Sequence, residues 1–255
     1  NNLTALAAKL NVKDPHFIPM SAKLGDNVVE QSSQTPWYNG PTLLHLLETI
    51  EISGDNNLED GRFPVQYVVR PYKDEFHDYR GYAGRVASGI FKPGDKVIAL
   101  PAEIESIIQS VDFYKTKLSE AAPGDSAIIS LNDDIDISRG NMIVPINNRP
   151  TISQDLSLMI CWFNERPLMP GNKYLVRHTS NETKCSVKSI DFKIDINSME
   201  QNNNDKTLKM NDIGQITLRT AKPLFFDSYK KNRITGSLIF IDEGTNETVG
   251  AGMIL

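Results

Sequence analysis

Cysteine is scarce in this sequence, and no apolar run is long. Only two cysteines occur among 255 residues, at 161 and 185. They lack metal-ligand spacing and cannot build a disulfide framework, so buried, reduced thiols of a cytoplasmic protein are expected. No apolar stretch approaches the roughly 18 residues that span a bilayer. Residues 1–12, NNLTALAAKLNV, lack the basic start and apolar centre of a secretory signal. The four histidines, His16, His45, His77 and His178, are isolated, which argues against a metal site. No G-x-S-x-G and no Walker loop G-x-x-x-x-G-K-[ST] is present. Asp133 and Asp134 lie side by side in a turn-like stretch, without an identifiable partner for acid–base work. On residues alone, no active site is complete.

The composition that remains is that of an ordinary globular chain, 40% hydrophobic and 23% charged, enough to form cores without covalent staples. The formal net charge of −5 is unevenly spread. Residues 51–160 hold 11 basic and 17 acidic side chains, and residues 172–233 hold 12 basic and 7 acidic. Such asymmetry marks either a docking face for an acidic partner or nucleic acid, or a mixed solvated surface.

Residues 79–100, YRGYAGRVASGIFKPGDKVIAL, organise the reading. Pro93-Gly94 fits a type II turn, with glycine at the position of positive φ. Residues 97–100 read as a buried return strand. Gly84 and Gly89 suggest bulges or barrel corners. A small, tightly curved antiparallel sheet follows. Pro123-Gly124 and Pro170-Gly171 repeat the same turn, but at irregular spacing, so no repeat array is expected.

Taken in order, residues 2–11 read as an amphipathic helix, and residues 16–20, HFIPM, as a short apolar strand. Residues 41–50 read as a second helix with Pro41 in its first turn. Helix, strand, loop and helix make the end of an α/β domain whose remaining sheet is missing. Residues 51–62 read as a polar linker. Residues 102–113 have helical spacing but β-branched composition, and are read as a strand with a bulge. In residues 185–194 the alternation slips by one near Lys188-Ser189, which implies another bulge. Residues 237–242 and 248–255 form a terminal hairpin. The expected domains are 1–52, an α/β remnant; 53–62, a linker; 63–146, a β-barrel; and 147–255, a second β-barrel.

Ser21-Ala22-Lys23 is the one suggestive triplet. It follows an apolar run and precedes a glycine loop, where backbone amides could read a purine edge. In isolation a three-residue match is weak, and an ordinary strand-to-loop junction is the better reading.

Six segments together resemble a known family: FIPMSAKLGDNVV (17–29), WYNGPTLLHLLE (37–48), RFPVQYVVRP (62–71), YRGYAGRVASG (79–89), DIDISRGNM (134–142) and GSLIFIDEGTNETVGAGMI (236–254). They resemble the large, GTP-binding subunit of bacterial sulfate adenylyltransferase, a relative of elongation factor Tu and other translation GTPases. The resemblance covers nearly the whole chain, in the family's order. It implies a mainly β fold: two consecutive translation-factor-type β-barrels after the last α/β segment of a truncated G domain. It implies a heteromeric, cytoplasmic enzyme in which a small catalytic subunit joins ATP and sulfate into adenylyl sulfate and diphosphate. The large subunit hydrolyses GTP to drive that step. Ser21, Ala22 and Lys23 then correspond to the last guanine-nucleotide motif, with Lys23 standing where this family has leucine.

The phosphate loop, switch threonine, D-x-x-G and N-K-x-D motifs would all precede residue 1. GTP and magnesium are therefore expected as cofactors of the full-length protein, and none of this chain alone. No residue is expected to be catalytic. The barrels are expected to dock the small subunit through residues 74–80 and 132–139. No membrane partner is expected, and nucleic acid is disfavoured. The alternative is an RNA-binding barrel module, which the basic 172–233 segment permits but the acidic chain and the lack of interleaved aromatics oppose. A third reading is a fusion to adenylyl sulfate kinase after the last barrel, which nothing in residues 1–255 supports.

Overall fold

The computed structural model describes residues 4, 7–8, 12, 14–50, 57–70, 79–114, 116–196 and 198–255. The chain divides into two compact units, Asn1–Asp55 and Asn56–Leu255.

In the first unit the helix is α1, Leu43–Thr49. Thr42 caps it, its side chain accepting from the His45 N–H. Pro41 therefore precedes the cap and is not in the first turn, which corrects the sequence reading. Residues 16–20 form no strand. An apolar run becomes a strand only beside a neighbour that takes up its backbone hydrogen bonds, and the described residues of this unit supply only an isolated bridge, Ser21 to Asp26. The expected helix over 2–11 falls largely outside the described residues, as does much of the expected linker.

The second unit is all β. Its first half holds β1 (Phe63–Val69), β2 (Gly81–Arg85), β3 (Lys96–Leu100), β4 (Ile104–Phe113), β5 (Thr116–Leu118), β6 (Ser126–Leu131) and β7 (Met142–Pro145). The strands pair in the order β3-β7-β1-β2-β6-β4, and β4 returns to β3. This closes a six-stranded barrel, with β5 appended to β4. The second half holds β8 (Thr151–Trp162), β9 (Lys173–His178), β10 (Asn181–Ile194), β11 (Gln201–Asn202), β12 (Ile213–Phe226), β13 (Ser237–Ile241) and β14 (Thr248–Ile254). The order β10-β12-β8-β14-β13-β9 closes back on β10, giving a second six-stranded barrel with β11 appended. Closure pairs the six strands of each barrel in a ring, with β5 and β11 left as short edge strands.

Both expected bulges are present. The register slips between Ile108 and Ser110 in β4, and between Val187 and Ser189 in β10. Each slip returns an apolar side chain to the interior, so Val111 and Ile190 are buried. At Gly84 the reading needs amendment. The irregularity lies on the opposite strand, between Val65 and Tyr67, and Gly84 is the flat partner that lets it close. A Cβ at Gly84 would lie 2.4 Å from the Pro64 carbonyl oxygen.

The Pro-Gly turns belong to a repeat that linear spacing hides. Gly94, Gly124 and Gly171 all take positive φ, at 93°, 95° and 86°. In each turn the fourth residue's side chain accepts from the first residue's N–H: Asp95 from Lys92 at 2.7 Å, Asp125 from Ala122 at 2.9 Å, Asn172 from Met169 at 2.9 Å. A fourth turn, Lys209-Met210-Asn211-Asp212, does the same at 2.7 Å, with Asn211 at φ 69° in place of glycine. Each turn is locked to one distant residue, Ile108, Val86, Val187 or Trp162, by a reciprocal pair of backbone bonds. Each barrel thus has two copies, opposed across the bridges Phe91–Ala121 and Leu168–Leu208.

Each barrel has its own core. Phe63, Tyr82, Val97, Ile129 and Ile143 lie at the centre of the first. In the second, Trp162, Tyr174 and Phe240 meet edge to face at centroid distances of 5.2–6.4 Å. A third cluster joins them: Ile98 and Leu100 of β3, Met142 and Val144 of β7, and Phe225 of β12. Strand β3 is therefore apolar on both faces, one turned into its own barrel and one against the other.

Candidate functional site: the Ser21–Lys23 turn and the barrel clamp

The triplet Ser21-Ala22-Lys23 lies in a tight turn. The Gly25 N–H donates to the Ser21 carbonyl at 2.8 Å, and the Leu24 N–H to the Ser21 hydroxyl at 3.3 Å. Gly25 supplies the positive φ of 83° that the reversal needs. Ala22 and Lys23 are exposed. Among the described residues no acceptor meets their N–H groups. Two adjacent free donors on a fixed turn can read the edge of a flat acceptor.

Sequence reasoning missed the residue that holds this turn. Asn27 is buried with φ 54°. Its side-chain amide donates to the Pro19 carbonyl at 2.6 Å and to Thr35 Oγ1 at 2.8 Å, and its Oδ1 accepts from the Ser32 N–H at 2.8 Å. Its carbonyl accepts from the Leu43 N–H at 3.0 Å, which fixes the start of α1. The available signal was asparagine after Gly-Asp, a residue that tolerates the left-handed region.

In the second unit the polar groups concentrate between the barrels. Arg62, fully buried, donates from Nε and Nη2 to the two carboxylate oxygens of Asp227 at 2.8 and 2.9 Å. Its other donors reach the Gly61 carbonyl, the Asn148 carbonyl and Asn148 Oδ1. All five guanidinium hydrogens are thereby used, the condition under which a charge tolerates burial. Asp227 also accepts from Thr235 Oγ1 at 2.8 Å. Alongside, Lys231 pairs with Asp60 at 2.8 Å, and Asn57 donates to Asp60 at 2.8 Å. Asn232 donates to the Ser88 hydroxyl at 2.7 Å, and Ser88 donates to the Asp60 carbonyl. Burial by itself raises the Asp60 pKa, but hydrogen bonds from Lys231, Asn57 and Asn148 outweigh it and hold the carboxyl at about 2. His178, buried with Nε2 2.7 Å from the Thr235 carbonyl, has its pKa lowered by desolvation.

The other sequence candidates resolve as follows. Asp133 accepts from Ser106 at 2.7 Å, and Asp134 pairs with Arg80. Arg80 and Tyr82 both donate to the Ile135 carbonyl, at 2.8 and 2.6 Å, so the 132–139 loop is tied to the strand beside it. Residues 74–78 of the other proposed docking loop, with His77, lie outside the described residues. Both cysteines are free thiols. Cys185 is buried as expected, but Cys161 is only partly so, because it points from the outer face of the second barrel. Part of the basic surplus in residues 172–233 is neutralised by acids outside the segment, Lys184 by Glu243, Arg219 by Asp155 and Lys231 by Asp60, while Arg177 and Lys193 pair within it, with Glu182 and Asp212. Among the described residues no group of three or more His, Cys, Asp or Glu could hold a metal ion. No helix among them is long and apolar enough to cross a membrane.

Comparison with known proteins places these barrels. Residues 155–255 match the GTP-eEF1A C-terminal domain-like family. The chain is 45% identical over 252 residues to "Bifunctional enzyme CysN/CysC" of Mycobacterium tuberculosis, covering 98% of this chain and 41% of that protein. It is 43% identical over 248 residues to "Sulfate adenylyltransferase subunit 1" of Bacteroides fragilis, covering 97% of this chain and 51% of that protein. This chain is a homologue of the sulfate adenylyltransferase subunit 1 family. It spans about half the length of the curated relatives it matches. A solved structure of sup35 complexed with GDP superposes with a TM-score of 0.70 at 19% identity, covering 95% of this chain and 59% of that one. At that identity the likeness is one of fold, and it confirms translation-factor-type barrels.

Proposed function

We propose that this chain is the C-terminal part of a sulfate adenylyltransferase large subunit. In the whole enzyme that subunit couples GTP hydrolysis to the formation of adenylyl sulfate and diphosphate from ATP and sulfate, as part of cytoplasmic sulfate assimilation. The observation that carries the reading is identity above 40% across nearly the whole chain to proteins of that name. The turn at Ser21-Ala22-Lys23 is its guanine-side contact, made through the free N–H groups. Phosphate and magnesium binding belong to residues this sequence does not contain, so the chain alone is inactive toward GTP. The barrels dock the small catalytic subunit and pass on the nucleotide state as one rigid piece. The clamp around Arg62 and the cluster around Phe225 support that rigidity.

Size-exclusion chromatography of the chain with the small subunit tests the docking: one earlier peak holding both supports it, and two unshifted peaks oppose it. Titration with a fluorescent GDP analogue tests the inactivity. Micromolar binding would overturn that part. The neutralised basic segment weighs against an RNA-binding role, and filter binding of transfer RNA with steep salt dependence would revive it.

A further inference from the structure

The outer wall of a solvated barrel is expected to be polar at alternate positions. One row of the second barrel is not. Ile213 of β12 faces Cys161 of β8, Cys161 faces Ala251 of β14, Ala251 faces Ile239 of β13, and Ile239 faces Arg177 of β9. These five neighbours cross five strands in a line of roughly 19 Å, at about 4.8 Å per strand. The two smallest, Cys161 and Ala251, stand between two isoleucines, so the row sags into a trough of about 670 Å³. Met253 and Ile234, 41% and 47% exposed, flank it. Arg233 overhangs it and has no acidic partner among the described residues. Among the described residues no acidic side chain lines it, although the chain as a whole is acidic.

We infer that this trough seats an acidic amphipathic helix of a partner protein, with apolar side chains on the Ala251–Cys161 floor and carboxylates on Arg233, since Arg177 is already paired with Glu182. Two arguments choose that occupant. Each strand in the row is paired on both sides, so the trough offers no unpaired edge on which an extended peptide could add a strand. A helix satisfies its own backbone and needs only an apolar groove. Arg233, without an acidic partner among the described residues, then selects carboxylates on its polar face. A trough of this length holds about three and a half helical turns.

The test uses the 255-residue chain and two fluorescein-labelled, lactam-stapled helical peptides of 13 residues, leucine at i, i+3, i+4, i+7 and i+11, one with glutamate and one with lysine elsewhere. Fluorescence anisotropy is expected to show the acidic peptide binding at least tenfold more tightly than the basic one. Arg233→Glu, at an exposed position, is expected to weaken the acidic peptide at least tenfold, while Arg233→Lys retains most of the binding. Ala251→Lys, which fills the floor, is expected to abolish it. Equal binding of the two peptides, or wild-type binding by Arg233→Glu and Ala251→Lys, overturns the inference. So does a dimer of the chain in sedimentation that Ala251→Lys dissociates, which would make a second copy the occupant.

Discussion

Arg62 and Asp227 meet through two parallel hydrogen bonds of 2.8 and 2.9 Å, with both side chains shut away from water. Arg62 directly precedes the first strand of one barrel, and Asp227 directly follows a long strand of the other. Removing one partner strands a buried charge. Arg62→Met is expected to cost about 3–5 kcal/mol of stability. The double variant Arg62→Met/Asp227→Leu is expected to recover a large share of that loss, because it removes both charges. Urea unfolding of the two variants measures the difference.

Acid acts on the same clamp in two stages. The His178 pKa is lowered by burial, so its neutral form is the stable one in the fold. That contribution is complete above the unfolded value of about 6.5 and is lost as pH falls from there toward the folded value. Asp60 is held at about 2 against an ordinary 3.8. Its contribution is present above about pH 4 and disappears as pH falls toward 2. Stability is expected to decline first below pH 6.5 and again below pH 4. In Asp60→Asn the second decline should be weaker, as read from urea midpoints across pH.

Two glycines separate strain from collision. Gly94 takes φ 93° with nothing within 4 Å of an added Cβ. Gly94→Ala is expected to cost about 1 kcal/mol, the ordinary penalty of a left-handed residue. Gly89 takes φ 71°, and its Cβ would lie 2.3 Å from the Gly61 Cα. Gly89→Ala must displace backbone next to Arg62, and is expected to cost several times as much. Thermal melts of the pair compare them directly.

The thiols should differ in reactivity. Burial pushes Cys185 up to about 12, leaving almost no thiolate at neutral pH. Cys161 is partly exposed in the outer trough. A disulfide reagent such as dithionitrobenzoate is expected to titrate one thiol in the native chain and two in denaturant.

Strand type was legible where side chains alternate. The slip at Lys188-Ser189 follows from the period of its apolar residues, whereas the bulged strand over residues 104–113 was legible only from its β-branched composition, its spacing being helical. Residues 16–20 misled because an apolar run states a wish for a neighbour without showing that one exists. The four-fold turn repeat was hidden by its last copy, where Asn211 does what glycine does in the others. The clamp was illegible for a different reason. Arg62 and Asp227 are 165 residues apart, and nothing local marks either as buried. Asn27 acts in the same way over shorter range, since its partners at 19, 32, 35 and 43 are scattered.

The role proposed for this chain rests on the two barrels moving as one body. Native-state hydrogen exchange, read by mass spectrometry on peptides from β2–β6 and from β8–β12, tests this most directly. One shared limiting opening energy is expected for both barrels, and in Arg62→Met both are expected to fall together. Two separate limiting energies, with only one barrel responding to the substitution, would contradict it.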